Sequence, residues 1–275
     1  RRLIPTLGAA RDDDDGLLSD GCGLALGGTK PPTCRYGAEG AAVTVALVGD
    51  SHAAHLFPAV ERLALEHGWE VVPYTKFSCV FVDMPLWSPH LKRDYTECPV
   101  WRDHVLDRLA ALDPDVVLIA SNRWFPAIAD RDSEPERQGA ALARLIERID
   151  APVGIIVDTP RSEADAPACL ASHPDAIERC TTTRTAAFGW RHLRRESEAA
   201  RLTGADIIDL SDAVCPVDPC PLVVGDLLVY RDHHHLTATF SASLADALDD
   251  ALQASDGLAS ALSLPNRVVG EEPVE

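Results

Sequence analysis

The sequence predicts an α/β fold built on one parallel, doubly wound sheet. Short strand-like runs, at Val43 to Val48, Trp69 to Tyr74, Asp115 to Ala120, Pro152 to Val157 and Ala205 to Asp209, alternate with helical patterns, and that alternation is the signature of a parallel sheet with helices on its faces. Several of the runs are almost wholly apolar, as strands covered on both faces must be. The first run stops on Gly49-Asp50-Ser51-His52 and passes at once into a helical pattern. A strand ending in that way delivers a serine hydroxyl to the carboxyl end of the sheet, where open α/β sheets put their chemistry.

Taken in order, residues 1–40 are an irregular lead-in packed on the domain. Its acidic run, Asp12 to Asp15, reads as a solvated turn, because the spacing and central glycine of a calcium loop are missing. The domain proper spans 41–254. The first helix carries Leu56, Val60, Leu63 and Ala64 on one face and ends at Gly68, a fitting cap. The stretch from Thr75 to Cys98 is long, aromatic and proline-marked, and long loops in compact domains are usually functional. Pro99 to Leu112 reads as a helix with Trp101, Val105, Leu106 and Leu109 as its apolar stripe. The third strand ends in Ser121-Asn122-Arg123-Trp124 and the fourth in Asp158-Thr159-Pro160. Glu134 to Ile149 and Ala186 to Thr203 read as helices, the second capped by Gly204, with an insertion from about Arg161 to Arg184 between them. Leu222 to Tyr230 reads as a hairpin turning at Gly225-Asp226. The last helix starts near Leu236 or Thr237 and runs to about Gln253. Residues 255–275 read as a polar tail, frayed above all from Gly270 to Glu275.

Composition narrows the function. The chain has 275 residues, of which 46% are apolar, enough for a sizeable core, and a formal charge of −18 that argues against nucleic acid and polyanionic partners. Its eight cysteines fall into four close pairs without a CxxC motif. Local pairs flanking loops read as disulfide staples of an oxidising compartment. Of the 105 connectivities that eight cysteines allow, sequence proximity selects Cys22–Cys34, Cys79–Cys98, Cys169–Cys180 and Cys215–Cys220. The alternative is buried free thiols in a cytosolic enzyme. No apolar run is long enough to span a bilayer. The staples therefore imply an exported domain, read as a piece of a longer protein or a mature form.

Ser51 alone is weak evidence, since a serine after a strand is often a helix N-cap. Its place between strand and helix, beside free helix-N-terminal amides that can receive an oxyanion, strengthens it. The segment Tyr230-Arg-Asp-His-His-His-Leu-Thr237 supplies the remaining parts of a nucleophile–base–acid set. Asp232 lies three residues before His235, a spacing at which a carboxylate can reach Nδ1 and fix the tautomer. Two other readings stand beside this one. Three consecutive histidines can be a solvated turn, and Asp232, His233, His234 and His235 are all metal-ligand types, although neighbours on one chain seldom converge on a single ion. Asp50 reads as a structural carboxylate accepting loop amides, and His52 as lining the site. Arg123 and Trp124 can floor a sugar pocket or, alternatively, form a core tryptophan under an arginine lid.

Gly49-Asp50-Ser51-His52 after a hydrophobic strand, with Asp232-x-x-His235-Leu236-Thr237 before the last helix, resembles the SGNH (GDSL-type) hydrolase family. More narrowly it resembles the extracytoplasmic SGNH domain fused to membrane acyltransferase-3 proteins. The features that carry this are GDSHAxHxxPA from Gly49 to Ala59, Thr75-Lys-Phe-Ser-Cys79, the strand exit at Arg123-Trp124, and Tyr230-Arg-Asp…His-Leu-Thr237. The resemblance covers about residues 40 to 253. It implies a three-layer fold with a five-stranded, mostly parallel, flavodoxin-like sheet. It implies Ser51 as nucleophile, His235 as general base, Asp232 as its orienting partner and an acyl-enzyme intermediate. The implied reaction moves a short acyl group, acetyl above all, to or from a cell-envelope carbohydrate, with no cofactor and no metal. The acyl donor would come from an N-terminal membrane acyltransferase domain, and this domain would be extracytoplasmic and membrane-tethered. The family's oxyanion hole uses the nucleophile's own amide, a glycine of a second block and an asparagine of a third. Asn122 stands at the third position, in Ala120-Ser-Asn-Arg123 rather than Gly-x-Asn-Asp. No glycine occupies the second, although Lys76 to Cys79 lies in the right region. Two alternatives stay open: a carbohydrate esterase with water as acceptor, which differs from the transferase only in how water is kept out, and a glycan-binding module with weak turnover, which the missing glycine favours.

Overall fold

The computed structural model describes residues 2–128 and 134–263. Five parallel strands form the centre: β1 (Thr44–Gly49), β2 (Glu70–Lys76), β3 (Val116–Ala120), β4 (Val153–Ile156) and β5 (Asp206–Ile208). Their order is β2-β1-β3-β4-β5, the flavodoxin-like order. The sheet is wider than the five strands expected from sequence. Outside β2 the lead-in adds Gly23–Leu24 in parallel and Tyr36–Gly37 antiparallel, making seven strands. Residues 1–40 are thus partly woven into the sheet edge, with Ala10 and Leu17 buried. Lys76, itself buried, fastens them there by donating to the carbonyls of Ala25, Leu26 and Gly28 at 2.5–2.9 Å.

Two apolar layers sandwich the sheet because successive side chains of a strand point to opposite faces. Val45 and Leu47 of β1 pack with the helix α1 (Ser51–His67) and with α5 (Ala245–Gln253). Ala46 and Val48 pack with α2 (Glu97–Leu112) and α3 (Pro135–Ile146). A fourth long helix, α4 (Arg194–Thr203), lies against α3. The long stretch after β2 is not loose. Its Val80, Phe81, Val82 and Tyr95 are buried, and Arg102 donates to the carbonyls of Val80 and Met84. All four expected disulfides are formed, and Cys79–Cys98 closes this stretch.

Three sequence expectations are corrected. The helix expected over 186–203 is two: Arg184–Phe188 ends at Gly189 in a left-handed conformation, and α4 starts only at Arg194. A Cβ on Gly189 would lie 3.0 Å from the Trp124 ring, so the indole packs directly against this turn. The last helix breaks at Ser243-Leu244 into Ala238–Ala242 and α5. The polar tail expected from 255 begins instead as a packed helix, Asp256–Ala261, capped by Ser255, with Leu258 and Leu262 buried. Residues 264–275, including the stretch expected to fray, lie outside the described residues.

The site follows from topology. The order reverses at β1, which is flanked by β2 and β3, so its carboxyl end is the switch point where such sheets open a crevice. Gly49, paired with both Thr75 and Ala120, ends the strand there. A Cβ at this position would fall 1.7 Å from the Ala120 carbonyl oxygen, so only glycine lets β1 and β3 close up beneath the nucleophile turn.

Candidate active site

Ser51 is the first residue of α1, but it does not cap the helix. Asp50 does, with its carboxylate accepting from His52 N–H at 2.8 Å and also from Asn122 N–H at 3.1 Å. The serine hydroxyl is therefore free for another partner. That partner is His235, whose Nε2 lies 2.9 Å from Ser51 Oγ. Behind the ring, Nδ1 lies 2.7 Å from Asp232 Oδ2. The other carboxylate oxygen of Asp232 accepts the backbone N–H groups of His234 and His235 at 2.8 Å each. These two amides fix the carboxylate and the carboxylate fixes the imidazole, so the segment orients itself within one turn. Thr237 then caps the next short helix through the Phe240 N–H, which sets where that turn begins.

The electrostatics suit a base. Burial pushes the His235 ring below its ordinary value; the Asp232 hydrogen bond offsets this only in part, and charge on His52 adds to the lowering. Asp232 is held well below the usual carboxylate range. Burial opposes this, but the hydrogen bonds from His235 and the two backbone amides outweigh it. A neutral ring beside an ionised acid is the state that takes a proton from a hydroxyl.

Three residues that carry donor groups, Ser51, Ser78 and Asn122, line one cleft. Its own N–H is in the first helical turn, where no intrahelical acceptor exists. Ser78 lies in the Lys76–Cys79 stretch and adopts the left-handed φ of 55° that glycine favours. The turn is held open around it by Cys79 N–H bonding to the Lys76 carbonyl and by the Cys79–Cys98 bridge. The Ser78 N–H meets no acceptor among the described residues. The Asn122 amide oxygen accepts from Trp124 N–H at 2.7 Å, which leaves its Nδ2 end as the donor. Arg195 donates to the carbonyls of Ser121 and Asn122 and so holds that loop in place.

Two concavities meet at Ser51 and His235. One, about 200 Å³, is walled by the lead-in and includes Leu17, Leu24, Ala54 and Arg231. The other, about 340 Å³, carries Phe77, Ser78, Trp87, Asn122, Trp124 and Phe125. Of the other residues singled out in the sequence, Trp124 reaches this second cleft, with the Arg161 and Arg191 guanidinium groups 4.9 and 5.2 Å from its ring. Arg123 does not reach it. It is buried and donates to the carbonyls of Asp158 and Ala187, so it ties the exit of β4 to the short helix Arg184–Phe188 rather than flooring a pocket. His52 lies behind the triad, with Nδ1 2.5 Å from Asp158 Oδ1 and Nε2 2.9 Å from His234 Nδ1. His52, His234 and His235 are close enough to hold a metal ion, but His52 and His234 spend nitrogens on each other and His235 spends one on Ser51.

Sequence reasoning assigned Asp158, His234 and Ser78 no place beside Ser51, although all three lie around it. Asp158 had one available signal: like Ser51 and Asn122, it lies two residues past the carboxyl end of a core strand.

A parallel sheet in this order, with serine, histidine and aspartate meeting at its switch point, defines a class of flavodoxin-like α/β domains. The particular family is given by a family model, the SGNH domain fused to AT3 domains, which matches residues 19–250, and the chain belongs to it. Solved structures similar to it include the periplasmic domain of a lipopolysaccharide acetyltransferase from Salmonella ser. Paratyphi A. That domain has a TM-score of 0.59 and 18% identity, over 75% of this chain and 82% of the other, a likeness of fold. A search of curated proteins returns no match to the chain.

Proposed function

We propose that this domain is a serine-dependent O-acyltransferase that moves a short acyl group, acetyl above all, onto a hydroxyl of a cell-envelope carbohydrate. The observation that carries the reading is the unbroken line Ser51 Oγ, His235, Asp232, with contacts of 2.9 and 2.7 Å. Ser51 Oγ attacks the acyl carbonyl carbon while His235 Nε2 takes the hydroxyl proton. The tetrahedral oxyanion is received by the N–H groups of Ser51 and Ser78 and by Asn122 Nδ2. The donor's leaving group departs with the proton from His235, leaving Ser51 acylated. A carbohydrate hydroxyl then gives its proton to His235 and attacks the ester, and Ser51 leaves as the free hydroxyl.

None of these steps calls for a metal or cofactor. The family's description as fused to AT3 domains supports an acyl donor delivered by a membrane acyltransferase domain of the same protein, with this domain on the extracytoplasmic side. Four disulfides agree with an oxidising compartment. No helix among the described residues is long and apolar enough to cross a membrane. The aromatic cleft beside Ser51 suits a sugar ring, whose C–H faces stack on indole and phenyl groups.

The test is labelling by a fluorophosphonate, followed by incubation with p-nitrophenyl acetate and candidate oligosaccharides. Wild-type protein should label at Ser51 and should add an acetyl mass to a sugar, and Ser51→Ala should abolish both. Labelling with only acetate released would make the domain an esterase. Absence of labelling in the wild type would remove the serine mechanism.

A further inference from the structure

Two concavities open on Ser51 and His235, and their linings differ in kind. The larger carries the aromatic residues and Asn122. The smaller, about 200 Å³, is lined by Leu17 and Leu24 of the lead-in, by Phe77, and by Ala54 of α1. Ala54 follows Ser51 at the i, i+3 spacing that puts two side chains on the same helix face. Only a methyl stands there, and a longer side chain would take up the space beside the nucleophile. The charged groups at this pocket are committed elsewhere. Lys76 donates to three carbonyls of the lead-in, and Arg231 lies 3.6 Å from Asp14. Asp14 and Asp15 accept the N–H groups of Gly16 and Leu17, and Asp50 caps α1. A ligand there gains chiefly by covering Ala54 and the half-buried Leu24 and Phe77. A dry apolar cavity of about 150 Å³ holds a six-carbon ring, so this pocket has room for an acyl chain well beyond acetyl. Its wall is fastened on both sides. Gly23–Leu24 pairs with β2, and Asp13 accepts from the N–H of Thr239, just past His235.

We propose that this pocket is the acyl subsite, that it takes straight acyl chains from acetyl up to about six carbons, and that Ala54 and Leu24 set the limit. The assignment rests on the acyl-transfer reading of Ser51 and deepens it by naming the class of acyl group. In the tetrahedral state the carbon bonded to Ser51 Oγ carries, besides the oxyanion, the acyl chain and the oxygen that leaves or attacks. Two concavities meet at Ser51 to receive those two groups. Ser78 and Asn122, and the indoles of Trp87 and Trp124 that suit a sugar, line the larger one and not the smaller. The chain is left to the smaller, aliphatic one, whose wall the lead-in supplies.

The test is a series of p-nitrophenyl esters from acetate to octanoate. It reads kcat/KM for each chain relative to acetate, so that any general change in turnover divides out. In the wild type each methylene buried should raise kcat/KM about fourfold, with the gain ending between hexanoate and octanoate. Ala54→Leu, which fills the space beside Ser51, should lower the hexanoate-to-acetate ratio about tenfold. Leu24→Ala, which lengthens the pocket, should carry the rise on to octanoate, and it decides by itself if Ala54→Leu does not fold. A wild type that prefers acetate to hexanoate, an unchanged ratio in Ala54→Leu, or a Leu24→Ala with the wild-type limit overturns the acyl subsite. So does an Ala54→Leu that loses transfer to glycerol while keeping the chain-length ratio, because that puts the acceptor in this pocket. Fluorophosphonates with ethyl and hexyl chains read the same preference as rates of Ser51 labelling, without turnover. Faster hexyl labelling in the wild type, lost in Ala54→Leu, supports the subsite, and equal rates overturn it. No labelling by either chain, with no ester turned over, removes the serine reading itself and the subsite with it.

Discussion

Two Asp–His pairs lie side by side at the carboxyl edge of this sheet, and their surroundings give them opposite characters. In Asp232–His235 the two residues are three apart on one turn, the carboxylate is shared with two backbone amides, and the ring is held below its ordinary value. In Asp158–His52 they are 106 residues apart and buried, a second carboxylate from Asp50 faces the ring, and the ring is held above its ordinary value. The surroundings shift the first ring towards the neutral form and the second towards the charged form. The lesson is that an Asp–His contact does not by itself make a base. What decides is which other charges face the ring, since both carboxylates are shared with backbone amides, Asp158 with Arg123 N–H at 2.9 Å and Asp232 with His234 and His235 N–H at 2.8 Å.

Three experiments break or sharpen that contrast. The largest effect is expected from Asp232→Asn, which keeps the shape but reverses the hydrogen bond and so selects the wrong His235 tautomer. Turnover of p-nitrophenyl acetate should fall about 10⁴-fold, as when such an aspartate is replaced in serine enzymes, with little change in the urea midpoint. Asp158→Ala should do the reverse in kind. It leaves Arg123 and His52 as buried charges without their carboxylate, so unfolding in urea should show a loss of about 3–5 kcal/mol. If instead Asp158→Ala folds as well as wild type, the two pairs differ less than their burial implies. The smallest effect is on pH. Because His235 is lowered, the rate of Ser51 labelling should rise with pH along a limb centred below about 6.5. Part of that lowering comes from the charge on His52. Discharging His52 through Asp158→Asn, in whatever fraction folds, should therefore move the limb to higher pH, towards the ordinary value.

The same contrast marks how much could be read in the sequence. The Asp232–His235 pair was legible because its geometry is local, a spacing of three and a turn that ends in a helix. Ser51 was legible because a strand-to-helix junction is visible as a change of period. The Asp158–His52 pair was not, since it depends on β1 and β4 both flanking β3, which brings residues 52 and 158 together only after the sheet has assembled. The second block, which lacks its glycine, shows a related dependence on tertiary structure. The left-handed backbone that glycine favours is adopted there by Ser78, held by a turn and a disulfide. Arg123 was placed at the site by its neighbours in sequence, yet its side chain turns inward to the Asp158 and Ala187 carbonyls. The turn between Phe188 and Arg194 likewise packs against a distant residue, since the Trp124 ring, more than sixty residues away in sequence, stands against Gly189.

The amino-acid sequence by itself determined the alternation of strands and helices, the four disulfide pairings and the approach of Asp232 to His235 three residues on. Each rests on periodicity or on residues close along the chain, and short-range geometry constrains those directly. Only the tertiary structure decided which charges face which ring, which amides stand free around Ser51, and which side of Arg123 meets the core. Those outcomes depend on burial, and burial is fixed by how distant strands and insertions close over one another.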